Sequence, residues 1–332
     1  MARTFVVGDI HGCFDEMMEL LESISLHPND LVISVGDIVD RGNKSLEVYH
    51  FFKNRPNSVV LMGNHERKHL NQVLSYAQEI VKVQFGEEYQ DFLEWLKTLP
   101  YYYETPEAII VHAAFEQGKT LQEQREDVLC GATAGERYLE TLYSENTYWN
   151  DYYKGSKPII FGHHVVGNSP EIKNNTYGID TGCCHEGFLT IIELPDFKIH
   201  HIKAKKDYWK EEQTKWQIPV LKSKDWSNMS FENIQKQFEK LHYIEDPEIR
   251  NYLDNLEQQI TDLKNSLPNI LQKINTLSQD LLKQFPEEFN QKAIQYPFST
   301  YLFKAKAKNL HLKDLEKSLN TPQKVLDISQ LL

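Results

Sequence analysis

The sequence lacks any run of 18 or more apolar residues, and its four cysteines show no regular spacing. The first absence excludes a transmembrane helix, because about 20 consecutive apolar residues are needed to cross a bilayer. Cys13, Cys130, Cys183 and Cys184 fit neither a disulfide framework nor a C-x-x-C zinc site. The N-terminal residues also lack the charged-then-apolar pattern of a secretory signal. We therefore expect a cytoplasmic protein that does not bind membranes.

Glycine is absent from the last 145 of the 332 residues, since all 15 glycines lie between Gly8 and Gly187. Glycine is needed where a chain turns tightly or approaches a ligand closely, so its absence favours a helical region. Charge divides in a similar way: the formal net charge is +2 from Lys203 onward and −14 before it. We predict a first domain over residues 1–203, a linker over 204–228 and an all-helical region over 229–332.

Five short runs rich in valine and isoleucine each end at a polar residue in the predicted first domain. They are Thr4–Val7, Leu31–Val35, Ser58–Met62, Ala108–Val111 and Pro158–Phe161. Continuous apolar runs of this length are typical of strands buried on both faces. Helical patterns separate the early runs, whereas strand-like runs alone follow later in the domain. This order predicts a layered α/β sandwich with mixed sheets.

The C-terminal region carries a regular apolar pattern. The sequence Asp-Pro-Glu at 246–248 is a strong helix start, because it combines an N-cap residue, proline at the first position and an acid. Spacings of three and four then form a heptad seam over Leu253–Leu281. Pro268 should kink this helix or divide it at Ser266. Two arrangements remain open: a helical hairpin packed within the chain, or a coiled coil through 246–285 that pairs with a second copy or a partner helix.

Polar residues, most of them able to bind a metal, follow the predicted strands. They are Asp9 and His11, Asp37, Asp40 and Arg41, Asn64, His65 and Glu66, then His112 and His163. Carboxylate, imidazole and amide oxygen form a ligand set that suits Mn, Fe or Zn better than a soft metal. A lone aspartate at a strand end is usually a turn residue, but turn chemistry does not require histidine at four strand ends. The set therefore predicts a site where two metal ions, about 3.5–4 Å apart, clamp a phosphoryl group.

Three of these segments carry a recognisable pattern: GDIHG at 8–12, GDIVDRG at 36–42 and GNHE at 63–66. In this order and spacing they resemble the PPP-type metallophosphoesterase superfamily, which includes protein serine/threonine phosphatases and bacterial diadenosine tetraphosphatases. The resemblance covers residues 3–203, where VHAA, FGHH and GIDTGCCHEGFLTIIEL follow in matching order. It implies a four-layer α/β/β/α metallophosphoesterase sandwich, to which the helical C-terminal region is added.

The resemblance also implies the metal ligands. Asp9 and His11 would hold the first ion, and Asp37 would bridge both ions. The second site would be completed by Asn64, His112 and His163, although His164 could take the place of His163. We expect two divalent ions per chain, manganese in the first instance, with iron or zinc as alternatives. Their activated hydroxide would attack phosphorus directly, without a covalent phosphoenzyme.

The remaining motif residues would act on the phosphate ester. His65 would be the general acid toward the leaving oxygen, and Asp40 would orient its imidazole. Arg41 would bind phosphate oxygens through its charged fork. Glu66 would support the site without binding metal.

Departures from the family pattern concern the substrate. Met62 stands where many protein phosphatases have an arginine before GNHE, and Trp149 is followed by Asn150 and Asp151 where bacterial members often have an arginine nearby. The final glutamate of GNHE, where diadenosine tetraphosphatases typically have aspartate, favours the protein-phosphatase branch. We therefore expect a protein phosphatase that acts on phosphoserine or phosphothreonine, or on phosphotyrosine, in a protein or peptide partner.

Two other functions remain open. The chain could instead hydrolyse dinucleoside polyphosphates or another nucleotide or nucleic-acid phosphoester. It could also be a binding protein in which the helical region is the working part. The formal net charge of −12 argues against nucleic acid as a partner.

Overall fold

The computed structural model describes residues 2–242 and 244–332. Within them, the chain divides into two compact units between Val220 and Leu221. None of the described helices is both long and apolar enough to cross a bilayer.

The described part of the first unit contains ten strands. In chain order they are β1 (Thr4–Val7), β2 (Leu31–Ser34), β3 (Ser58–Val60), β4 (Tyr102–Glu104), β5 (Ile109–Val111), β6 (Ile159–Phe161), β7 (Glu171–Lys173), β8 (Thr176–Gly178), β9 (Phe188–Leu194) and β10 (Lys198–Lys203). Among the described residues they form two five-stranded sheets, in the orders β10-β9-β1-β2-β3 and β4-β5-β6-β8-β7. Each sheet contains parallel and antiparallel pairs, so the predicted mixed sheets are confirmed.

Helices cover the outer faces of the sheets. Those of the first unit are α1 (Phe14–Ser23), α2 (Ser45–Asn54), α3 (Asn64–Leu70), α4 (Tyr76–Phe85), α5 (Tyr89–Leu96), α6 (Glu126–Leu129), α7 (Thr133–Leu142), α8 (Trp149–Tyr152) and α9 (Tyr208–Lys215), while α10 (Gln217–Ser223) contains the division between the units. Val6 and Ile110 pack into a core between the two sheets. Phe5 instead faces the cluster with α1, α2 and α5, and Val111 faces α6 and α7. The predicted four layers follow from this alternation of strand side chains.

The segment 204–228 differs from the predicted linker. Helices α9 and α10 occupy much of it, and the division between the units falls inside it. Asp207 caps α9, because its carboxylate accepts a hydrogen bond from the backbone N–H of Lys210 at 3.0 Å. Buried Tyr208 and Glu212 hold this helix in the first unit, where the Tyr208 hydroxyl donates to Glu16. Few residues of α9 are apolar, so the sequence shows no helical apolar pattern there.

The second unit is helical, as predicted. Its helices are α11 (Phe231–Leu241), α12 (Pro247–Asn265), α13 (Leu267–Gln284), α14 (Phe289–Ala293), α15 (Ser299–Lys306), α16 (Leu312–Ser318) and α17 (Pro322–Leu331). The predicted helix start is confirmed, because the Asp246 carboxylate accepts from the backbone N–H groups of Glu248 and Ile249. The predicted division at Ser266 is also confirmed.

The heptad seam contributes to the core of the second unit. Leu267, Ile270, Ile274 and Leu281 pack there with side chains of α15, α16 and α17, including Leu315. Much of the apolar seam is therefore covered by the chain itself, in keeping with the hairpin arrangement. Pairing through 246–285 with a second copy or a partner helix stays a prediction.

Truncation of Ile274 should destabilise the helical unit. Its side chain is 0 % exposed, so Ile274→Ala should lower the free energy of unfolding by about 2–5 kcal/mol. Ile294→Ala is the matched control, because Ile294 is 67 % exposed and its truncation should cost less than about 0.5 kcal/mol. Urea unfolding followed by far-ultraviolet circular dichroism measures both. Equal midpoints for the two variants would contradict this account of the core.

Candidate active site

The structure brings together polar side chains from the loops that follow β1, β2, β5 and β6 and from the start of α3, which follows β3. Seven of the residues that the sequence predicts for the site are at most 4 % exposed: Asp9, His11, Asp37, Asp40, His65, Glu66 and His112. Asn64 and His163 are half-buried and contact each other. The apolar strands end here. The polar residues that follow them in the chain therefore meet in a region that is otherwise shielded from water.

Strained backbone is concentrated at the same place. His11, Asp37, Asp40, Arg41 and His163 all have positive φ, between 45° and 73°. Each non-glycine residue in this region costs on the order of 1–3 kcal/mol, and such residues cluster at functional sites. The loops thereby turn sharply enough for several strand ends to converge.

Two glycines let carboxylates lie directly against the main chain. A Cβ added at Gly63 would overlap the Asp37 Oδ1 atom, and one at Gly162 would overlap the Asp9 Oδ1 atom. The Asp9 carboxylate accepts a hydrogen bond from the backbone N–H of His163 at 3.2 Å. These contacts explain why GNHE and FGHH each begin their polar segment with glycine.

Two buried histidines direct an unprotonated nitrogen into the site. His11 Nδ1 lies 2.9 Å from the carbonyl oxygen of Val39, and His112 Nδ1 lies 3.1 Å from that of Val35. A carbonyl oxygen can only accept, so each Nδ1 carries the proton and each Nε2 presents a lone pair. Burial lowers the pKa of His11 well below its usual value and that of His112 to about 4, which keeps both rings neutral.

Asp37 lies at the centre of these lone pairs. One of its oxygens is 3.5 Å from His112 Nε2, and the other is 3.7 Å from His11 Nε2 and 3.8 Å from His65 Nε2. Its carboxylate belongs to two groups of mutually close ligand atoms, one with His11 and His65 and one with His112 and His163. This shared position suits the bridging role that the resemblance implies for Asp37.

The donor set fits divalent cations. His112 Nε2 and Asn64 Oδ1 are 3.1 Å apart, although the first is a lone pair and the second an acceptor. Burial and the carboxylates of Asp180 and Asp37 raise the pKa of Asp9 well above its usual value. A cation would accept the lone pairs of His112 and Asn64, which otherwise face each other, and would offset the negative charge around Asp9. Asp9 lies outside the two groups of mutually close ligand atoms, so its part in the first site stays a prediction.

His65 belongs to a buried hydrogen-bonded chain. Its Nδ1 atom is 2.5 Å from Asp40 Oδ2, the contact that the sequence analysis expects for an oriented general acid. The other Asp40 oxygen lies 2.9 Å from His69 Nε2, and the Tyr89 hydroxyl lies 2.9 Å from His69 Nδ1. Gln78 also donates to Asp40. Burial alone would raise the pKa of Asp40, but His69 and His65 hold it well below its usual value, so the carboxylate stays charged.

Arg41 contacts both His11 and His65. Its two terminal nitrogens are 3.2 Å from His11 Nε2 and 3.2 Å from His65 Nε2. Three other arginines of the first unit are placed differently. Arg67 donates to the Cys130 Sγ atom, Arg125 pairs with Asp127, and Arg137 lies exposed on α7. Arg41 is therefore the arginine that contacts the site histidines in the described residues.

Glu66 holds the loops in place. Its carboxylate accepts hydrogen bonds from the backbone N–H groups of Asp37 (2.8 Å), Ile38 (2.9 Å) and Gly63 (3.1 Å). The side chain is 0 % exposed. It therefore joins the loop after β2 to the start of α3 and does not face a substrate.

The structure distinguishes the two consecutive histidines of FGHH. His163 Nδ1 lies 3.1 Å from Asn64 Oδ1, whereas His164 is exposed and its ring lies 4.8 Å from that of Tyr148.

Asp180 and His69 are site residues that the sequence analysis did not identify. Burial and Asp37 raise the pKa of Asp180 to about 6. Both carried a signal: Asp180 follows a strand-like run, and His69 lies one helical turn after His65.

Comparison with known proteins identifies the family and several relatives of this chain. Residues 2–257 match the family model described as calcineurin-like phosphoesterase. An asymmetrical bis(5'-nucleosyl)-tetraphosphatase of Halalkalibacterium halodurans is 28% identical over 232 residues, covering 60% of this chain and 93% of the relative. A symmetrical bis(5'-nucleosyl)-tetraphosphatase of Vibrio vulnificus is 27% identical over 267 residues, covering 60% and 98%.

A solved structure supports the same fold. It is described as a candidate diadenosine tetraphosphatase, and it covers 61% of this chain and 94% of its own length. The TM-score is 0.51 at 22% sequence identity, so the likeness concerns the fold alone.

Proposed function

Because the chain belongs to the calcineurin-like phosphoesterase family, we propose that it hydrolyses a phosphoanhydride bond of a dinucleoside polyphosphate. The curated relatives described above favour this alternative over the protein phosphatase that the sequence analysis preferred. The family has a dinuclear metal centre, and the donor set described above fits it. Manganese as the native ion remains part of the proposal.

The single arginine contact at the site supports this choice of substrate. A phosphomonoester carries close to two negative charges near neutral pH, because its second pKa is about 6. An internal phosphate of a polyphosphate chain carries one. Arg41 alone contacts the site histidines among the described arginines, and buried Met62 supplies no charge. A site with one guanidinium fork suits the singly charged phosphate better.

The glutamate of GNHE no longer favours a protein phosphatase. Its carboxylate is engaged by three backbone N–H groups. It therefore positions Asp37 and Gly63 and has no free oxygen with which to select a substrate.

The side chains of the site divide the remaining chemistry. Divalent ions held by Asp37, Asn64 and the neighbouring histidines would polarise phosphate oxygens and lower the pKa of water. Arg41 would bind an oxygen of the attacked phosphate. His65 would supply a proton to the departing nucleotide oxygen, and Asp40 would stabilise the imidazolium form and fix the ring.

A direct substrate comparison tests the proposal. Diadenosine tetraphosphate is assayed with Mn²⁺ beside matched phosphoserine, phosphothreonine and phosphotyrosine peptides, and Asp37→Asn serves as the blank. We expect kcat/KM for the nucleotide to exceed that for every peptide by on the order of 100-fold or more. Chromatography of the products separates the two cleavage modes: ADP alone means symmetrical hydrolysis, and ATP with AMP means asymmetrical hydrolysis. Faster release of phosphate from a peptide would overturn the proposal.

A further inference from the structure

His163 is held from several sides by the first unit. Its backbone has φ +73°, a conformation that is costly without glycine. One side of its ring rests against the main chain at Gly131, where an added Cβ would overlap three ring atoms. Gly131 lies between α6 and α7. The contacts from this helix pair therefore restrict the direction in which the imidazole points.

The two ring nitrogens of His163 face different partners. Nδ1 lies 3.1 Å from Asn64 Oδ1, inside the site, and Nε2 lies 3.3 Å from Glu136 Oε1 on α7. The Asn64 amide oxygen and the Glu136 carboxylate can both only accept, so a metal ion that took the Nδ1 lone pair would leave the ring proton on Nε2, facing Glu136. For His11 and His112 the corresponding acceptor is a backbone carbonyl.

From this geometry we propose that Glu136 is a positioning residue that fixes the tautomer and direction of His163 and thereby sets the affinity for the metal ion bound there. Partners of this kind typically change metal affinity 10–100-fold. The carboxylate is itself oriented, because the Tyr148 hydroxyl donates to Glu136 Oε1 at 3.0 Å. The Glu136 side chain is 26% exposed, so its contacts with His163 and Tyr148 are partly shielded from water.

A direct metal-binding role for Glu136 is the competing arrangement. Ligand atoms of Glu136, His163 and His164 lie within 4.8 Å of one another and could hold a third ion. His163 would then bind metal through both ring nitrogens and would have to lose both protons. A neutral ring that donates to a carboxylate needs no such deprotonation, which is why we favour the positioning role.

Titration calorimetry of the metal-free full-length protein with Mn²⁺ tests the proposal without reference to any substrate. The variants are Glu136→Ala, Glu136→Gln and Tyr148→Phe. Glu140→Ala is the matched control, because Glu140 is an exposed residue one turn further along α7. Circular dichroism checks that each variant is folded.

We expect Glu136→Ala to weaken one of two Mn²⁺ sites by about 10–100-fold and to leave the other unchanged. Glu136→Gln should recover part of the loss, since its amide oxygen still accepts from Nε2, and Tyr148→Phe should cause a smaller loss than Glu136→Ala. A purely structural role would weaken both sites together. Affinities equal to the Glu140→Ala control in all three variants would overturn the proposal, as would three bound ions in the unmodified protein that fall to two in Glu136→Ala.

Discussion

Replacing Asp37 by asparagine should lower kcat/KM by roughly a thousandfold or more and reduce the number of bound metal ions. Asparagine keeps the shape of the side chain but removes the negative charge that lies within 3.8 Å of His11, His65 and His112. Divalent ions lower the pKa of bound water from 15.7 to about 7, so their loss removes most of the available nucleophile near neutral pH. Metal analysis of the purified variant, beside steady-state rates with excess Mn²⁺, measures both effects.

A second aspartate provides the control for charge alone. Asp91 is exposed on α5, so Asp91→Asn should retain both the metal content and the rate of the unmodified protein. Asp37→Asn with two ions bound and full activity would show that Asp37 does not bridge the metal site.

The other large effect is expected at His65. His65→Asn should reduce turnover about 10²–10⁴-fold for a strongly basic leaving group, because general acid catalysis is then lost. The loss should be smaller for an ester with a weakly basic leaving group, which departs without a proton. Rates on an alkyl ester and an aryl ester of the same nucleotide give the comparison. Metal content should stay near that of the unmodified protein, since the resemblance does not place His65 among the ligands.

His201→Asn is the matched control for this substitution. His201 lies exposed on β10 in the same unit, and its replacement should leave both esters unaffected. An equal loss on both esters for His65→Asn would remove His65 from the acid role and point instead to binding of the phosphate.

The grouping of many site residues could be predicted from local sequence, because the residues of each motif lie close together along the chain. In GDIVDRG, the strand end, the turn and Asp37, Asp40 and Arg41 lie within a few residues of one another, so their grouping needs no knowledge of the fold. The helix start at Asp246 is equally local, since the carboxylate caps N–H groups two and three residues away. Such features depend on neighbours along the chain.

Contacts between distant segments could not be predicted in this way. Glu136 reaches His163 from α7, and Gln78 reaches Asp40 from α4. Both are ordinary polar residues on amphipathic helices, where solvent exposure is the usual expectation. The three backbone N–H groups that occupy the Glu66 carboxylate also come from the fold, so the sequence could not show that this residue has no part in substrate choice.

The sequence by itself determined the class of chemistry, the layered α/β domain and the helical C-terminal region, because these depend on residue type, apolar period and short-range spacing. Only the tertiary structure decided which histidine nitrogens are free to bind metal, which arginine contacts the site and how the segment 204–228 folds. Those properties depend on hydrogen-bond partners and burial supplied by residues far apart in the chain. The contact between His163 Nε2 and the Glu136 carboxylate, 27 residues earlier in the chain, is one example.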